Sequence, residues 1–118
     1  MKKVIYFFLI LMLTASIQVS AQSFNGTWKG VLSAGPQKLT LILHVSEAER
    51  SVKLDVMEQG VKGLPLTVNV LENDSLNVAM AQIGLHYAGR LCNGVIEGTF
   101  SQNGFITQLI FNKGEVVL

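Results

Sequence analysis

The chain has 118 residues, with 49% hydrophobic and 14% charged side chains. Residues 1–21 read as an export signal, so residues 22–118 hold one folded domain with no room for a second core. That part carries seven Lys/Arg against eight Asp/Glu, a formal charge of −1, which excludes the basic face a nucleic-acid binder needs.

The signal has three parts. Lys2 and Lys3 are its basic start, Val4–Leu13 is an apolar run of ten residues, and Val19-Ser20-Ala21 places small residues before a cleavage site at Gln22. A run of ten falls short of the roughly 20 residues a spanning helix needs, and Thr14, Ser16, Gln18 and Ser20 follow it. No cysteine stands at the cleavage point to carry a lipid. The expected product is periplasmic or secreted, with no membrane association after cleavage.

From Gly26 on, apolar residues recur every second position, the period of a half-buried strand. Trp28, Gly30 and Leu32 open the series, and Leu39, Leu41, Leu43 and Val45 follow. Next come Val52, Leu54 and Val56, and then Leu64, Leu66, Val68 and Val70. The remaining sets are Leu76, Val78 and Met80; Leu85, Tyr87, Gly89 and Leu91; Ile96, Gly98 and Phe100; and Phe105, Thr107, Leu109 and Phe111. Ser46-x-x-Glu49 matches a capping box, but a helix over 47–58 would scatter Val52, Leu54 and Val56, so one helical turn at 46–50 is the most this segment supports.

Ala34-Gly35-Pro36, Glu72-Asn73-Asp74, Asn93-Gly94 and Asn103-Gly104 are hairpin turns. Short turns make consecutive strands antiparallel neighbours. Eight strands, each with one apolar face, bury that face and lose both edges by closing into a barrel. The expected fold is therefore all-β: a small eight-stranded antiparallel up-and-down barrel, lipocalin-like, over residues 22–118. Glycines 30, 84, 89 and 98 fall within strand patterns, where they would permit bending. Strands this short, with an inward set rich in Leu, Val and Phe, favour a filled interior over a roomy cavity.

Chemistry is sparse. There is no nucleophile elbow, phosphate-binding glycine loop or cysteine pair for zinc. His44 and His86 could hold a metal only if their strands were neighbours, with Glu97 or Asp55 as third ligand; both read as surface histidines. The chain is expected not to be an enzyme and to need no cofactor, with neither catalytic nor metal residues. Cys92, the one cysteine, cannot form an internal disulfide and reads as an exposed turn residue before Asn93-Gly94. Asn25-Gly26-Thr27 and Asn73-Asp74-Ser75 match the N-glycosylation pattern, and Asp74-Ser75-Leu76 a bacterial O-glycosylation pattern; ordinary turns account for both.

Phe24-Asn25-Gly26-Thr27-Trp28-Lys29-Gly30 resembles the Gly-x-Trp opening of lipocalin-like barrels, in which the Trp plugs one end. The Thr-Asp-Tyr turn of that family is not found, nor is its late Arg stacked on the Trp, so ligand transport is not implied. A second resemblance runs through Gly26–Gly30, Glu58–Pro65, Glu72–Leu76, Ile83–Gly89 and Ile96–Phe100. It is to the small β module that precedes the catalytic domain of secreted α/β-hydrolases in Bacteroidetes-type bacteria, with Gln59-Gly60-Val61-Lys62-Gly63-Leu64-Pro65 as its most specific segment. The resemblance implies an accessory domain whose catalytic triad would lie elsewhere, so no catalytic residue carries over.

The leading expectation is an exported non-catalytic accessory or interaction module, with a hydrolase domain or other periplasmic protein as partner. A small apolar ligand held above Trp28 is one alternative, and a fragment of a truncated or split serine hydrolase is another. The candidate binding residues are Trp28, Tyr87 and Lys62, the last on a loop that is either a rigid turn or a docking loop with free backbone groups.

Overall fold

The computed structural model describes residues 23–114; the expected signal peptide, residues 1–21, lies outside them. Eight strands form a closed antiparallel barrel in sequence order: β1 (Gly26–Ala34), β2 (Gln37–Ser46), β3 (Ser51–Val56), β4 (Val61–Glu72), β5 (Ser75–Met80), β6 (Leu85–Cys92), β7 (Val95–Gln102) and β8 (Phe105–Lys113). The up-and-down topology follows from the turns. Asn73-Asp74, Asn93-Gly94 and Asn103-Gly104 have positive φ at both positions, the geometry whose twist matches paired strands. Gly35, with φ 63°, precedes Pro36 and supplies the left-handed residue that Pro cannot.

The inward set is as the period-two pattern predicts over most of the chain. Trp28, Leu41, Leu43, Val52, Leu54, Leu76, Val78, Tyr87, Ile96, Phe100, Leu109 and Phe111 form one buried cluster. Among the described residues, no polar or charged residue is buried.

Three local expectations are corrected, the first being Phe105, which is 40% exposed and not inward. Val70 is not inward: the β4–β5 register shifts between Val68 and Val70, so Val70 pairs with Asn77 and Leu71 turns inward opposite Leu76. One bulged residue, Asn69, moves everything after it to the other phase. The segment 46–50 is the single turn expected of it, with the Arg50 N–H donating to the Glu47 carbonyl at 3.2 Å, the Glu49 N–H to Ser46 Oγ at 3.3 Å and Arg50 at φ 51°. Gly84 belongs to no strand. It ends a 3-10 turn, Ala81–Ile83, with φ 66°; a matching turn, Met57–Gln59, ends at Gly60 with φ 70°.

The strand glycines make room for rings more than they bend the sheet. A Cβ on Gly89 would lie 2.9 Å from the Tyr87 ring and from Ile96. One on Gly98 would strike the Ala88 carbonyl and come within 2.8 Å of the Tyr87 ring. Gly30 stands in the same relation to Phe111.

The barrel closes by a short ladder. β1 and β8 pair only at Trp28↔Lys113 and Lys29↔Asn112, and Gly114 N–H adds a bond to the Thr27 carbonyl at 3.0 Å. Every other neighbouring pair of strands is laddered over four or more positions.

Candidate functional site

The two ends of the barrel differ. One end receives the start of β1 and the end of β8 and is sealed. Trp28 is 1% exposed and Phe24 2%. The Trp28 indole N–H donates to the Phe24 carbonyl at 2.7 Å, which satisfies its polar atom inside the core. Glu47, on the β2–β3 turn, holds the segment before β1: its carboxylate accepts the Phe24 N–H at 2.9 Å and the Ser23 hydroxyl at 3.1 Å. Asn25 Oδ1 accepts the Glu47 N–H at 2.7 Å in return.

Lys113 completes the plug. Its ammonium lies 4.6 Å from the Trp28 ring centroid and donates to the Asn25 carbonyl. The cation stacked on Trp28 is thus a lysine. Trp28 and Lys113 become cross-strand partners only when β8 closes the barrel on β1.

The opposite end carries the two 3-10 turns and opens into an apolar chamber of about 180 Å³. Its walls include Leu32, Leu41, Leu54, Val56, Leu64, Leu85 and Phe100, with Gln59, Ile83 and Gln102 at the mouth. The interior is thus filled at the plugged end, as expected, but not at this one. Both turns are pinned. Glu58 accepts the Thr40 N–H at 2.6 Å and its hydroxyl at 2.8 Å. Gln102 Nε2 and Asn103 Nδ2 donate to the Ile83 carbonyl at 3.2 and 3.3 Å. Met57, Ile83 and Phe105, 47%, 38% and 40% exposed, make this end apolar on its outside too.

Tyr87 sits deep in the core. Its hydroxyl donates to the Leu109 carbonyl at 2.8 Å, and its ring meets Phe111 edge-on with centroids 5.2 Å apart. Burial, helped by the charge of Glu97, pushes its phenol well above the ordinary tyrosine value. The chamber walls do not include it, so Tyr87 holds the core together and has no reach to a ligand there.

Lys62 is exposed, on β4. The segment around it is no free loop. Val61 pairs with Val56, Leu64 with Leu54 and Pro65 with Lys53, and the Gly63 N–H donates to Asp55 Oδ1 at 2.7 Å. From Val61 on the segment is the start of β4, held in the sheet and neither a turn nor a free loop.

The histidines do not meet. β2 pairs with β1 and β3, and β6 with β5 and β7, so His44 and His86 stand on non-adjacent strands. His44 Nε2 lies 2.8 Å from Asp55 Oδ2, and His86 Nε2 lies 2.9 Å from Asn77 Oδ1. Among the described residues, no group of three or more His, Cys, Asp or Glu side chains is placed to hold a metal ion. Burial acts to raise the Asp55 carboxyl, but the His44 hydrogen bond, the Gly63 N–H and the charges of His44 and Lys62 outweigh it and hold it below the usual aspartate value. Cys92 is exposed, as its place before the Asn93-Gly94 turn predicts.

A second surface feature lies along the short seam. Val31, Ile106 and Ile110 point outward beside it and are 52%, 67% and 41% exposed. A groove runs there, lined by Lys29, Gly30, Val31, Gln108, Ile110 and Asn112 among others. Comparisons with protein-family models, with curated proteins and with solved structures find no match for the chain.

Proposed function

We propose that the protein is an exported, non-catalytic accessory module that docks on a larger protein, a secreted α/β-hydrolase domain being the partner its sequence resembles. The observation that carries this reading is the seam. Between β1 and β8 the ladder stops after two pairs, and three large apolar side chains, Val31, Ile106 and Ile110, stand exposed next to the gap among Ser33 and Gln108. Strand edges without a partner beside exposed isoleucines are what a docking partner covers. The test is amide exchange on the purified protein, alone and with each secreted α/β-hydrolase of its source organism. Protection of residues 30–34 and 105–111 by one of them supports the reading. Unchanged exchange with all of them, or hydrolysis of p-nitrophenyl acetate by the barrel alone, overturns it.

A second reading, a carrier of a small apolar ligand, is favoured by one observation: the chamber at the end opposite Trp28 is apolar and of a size that a small organic molecule fills.

A further inference from the structure

The chamber also restricts what could enter it. Its volume of about 180 Å³ compares with the cavity of about 150 Å³ that a benzene molecule occupies, so an occupant has roughly six to nine heavy atoms. No ionisable side chain lines it; the polar groups are the two glutamine amides, both at the mouth. An ionised group drawn inside would lose its hydration with nothing to replace it. The adjoining depression outside the mouth holds Lys38 and Glu58 together, so it offers an anionic head no clear attraction.

The amides also offer the head hydrogen-bond partners. Gln102 uses one of its two amide N–H groups on the Ile83 carbonyl, which leaves its carbonyl oxygen as acceptor and one N–H as donor. Gln59, exposed on the other turn, carries both a donor and an acceptor. A hydroxyl satisfies both, since it can donate to Gln102 and accept from Gln59. From these observations we infer that the chamber binds a short uncharged alcohol or phenol, apolar end inward and hydroxyl between Gln59 and Gln102. The inference rests on the carrier reading and narrows it to one ligand class.

The experiment is a titration of the isotope-labelled protein with 1-hexanol, sodium hexanoate at pH 7, benzene and 1-dodecanol, followed through the resonances of Leu54, Leu85 and Phe100. Hexanol is expected to shift them saturably, and hexanoate to bind about tenfold more weakly or worse. Dodecanol, too long for the chamber, is expected to bind more weakly than hexanol. Leu64→Phe, which fills the chamber, is expected to abolish binding while thermal unfolding stays cooperative. Gln102→Leu is expected to remove the preference for hexanol over benzene. If benzene and hexanoate bind as well as hexanol, the ligand class is wrong and the carrier reading stands. If no probe shifts these residues, both fall. Undiminished hexanol binding by Leu64→Phe would place the ligand elsewhere and also overturn the proposal.

Discussion

The carboxylate of Glu47 accepts the backbone N–H of Phe24 at 2.9 Å, and so a turn between β2 and β3 controls a side chain that seals the barrel from below. Two further contacts, from Ser23 and Asn25, join the same carboxylate. Glu47→Ala frees the segment before β1 and leaves the Phe24 N–H without its acceptor. The expected cost is about 1–2 kcal/mol. Trp28 is the one tryptophan and its indole is bonded to the Phe24 carbonyl, so its fluorescence reads the plug directly. A red-shifted emission in a chain that still unfolds cooperatively is the expected signature. An unshifted spectrum would mean that packing alone holds Phe24.

Gly98 is the tightest point of the core. A Cβ there would collide with the Ala88 carbonyl, lie 2.6 Å from the Gly89 Cα and press on the Tyr87 ring. Two of those obstacles are backbone and cannot swing away. Gly98→Ala is expected to cost about 3 kcal/mol, at the upper end for overpacking by one methyl. Gly94→Ala is the useful comparison. It has open space and pays only for its positive φ of 83°, so it should cost about 1 kcal/mol. Urea denaturation of the two variants checks the order.

How far the sequence discloses this molecule depends on whether a feature is local. Strand phase and turn type are local, and the alternation from Trp28 to Phe111 names most of the inward residues, but it includes Phe105, which is 40% exposed, misses the buried Ile42 and slips in register once, at Val70. That slip has a physical cause: a bulge at Asn69 inserts one residue without changing composition, so periodicity keeps counting in twos. The plug was half legible. Trp28 stands out next to its glycines, but Glu47 and Lys113 are 19 and 85 positions away from it and look like ordinary surface charges. The chamber was not legible at all, because its shape depends on how two 3-10 turns sit over the barrel end. The glycines were visible, but their purpose was not, since the rings they accommodate belong to other positions or other strands.

Tyr87 gives the alkaline limb of stability. Burial and the charge of Glu97 raise its phenol in the folded state, while in the unfolded chain it ionises near pH 10. A group whose folded pKa is raised contributes all its stability below the unfolded value and loses it as pH rises beyond. The protein should therefore weaken above about pH 10. Tyr87 is the only tyrosine in a chain that starts at Gln22, because the other is Tyr6. Absorbance at the phenolate band should stay flat through the usual tyrosine range and rise only on unfolding. Tyr87→Phe loses the bond to the Leu109 carbonyl, about 1 kcal/mol at neutral pH, and should flatten the alkaline limb. An ordinary titration of the phenol in the folded protein would contradict the buried geometry.

Asp55 sets part of the acid limb, and its sign is the reverse. Burial raises its carboxyl, yet the His44 hydrogen bond, the Gly63 N–H and the neighbouring charges of His44 and Lys62 leave it net lowered. The folded protein then holds this proton less readily than the unfolded chain does. The resulting stability is present above the unfolded value, near pH 4, and is lost as pH falls through the lower folded value. Glu58, lowered by the Thr40 N–H and hydroxyl, acts in the same direction, so Asp55→Asn removes only part of the slope. His44 is 44% exposed, and solvent screens the pair, which limits the Asp55 contribution to about 1 kcal/mol or less. Unfolding free energies at pH 7, 5, 4 and 3 should fall with acid in the native protein and fall less steeply in Asp55→Asn. His44→Gln should lie between them, because it removes the ring and leaves the Gly63 bond. Equal slopes in all three would mean that the His44–Asp55 contact forms without energetic consequence.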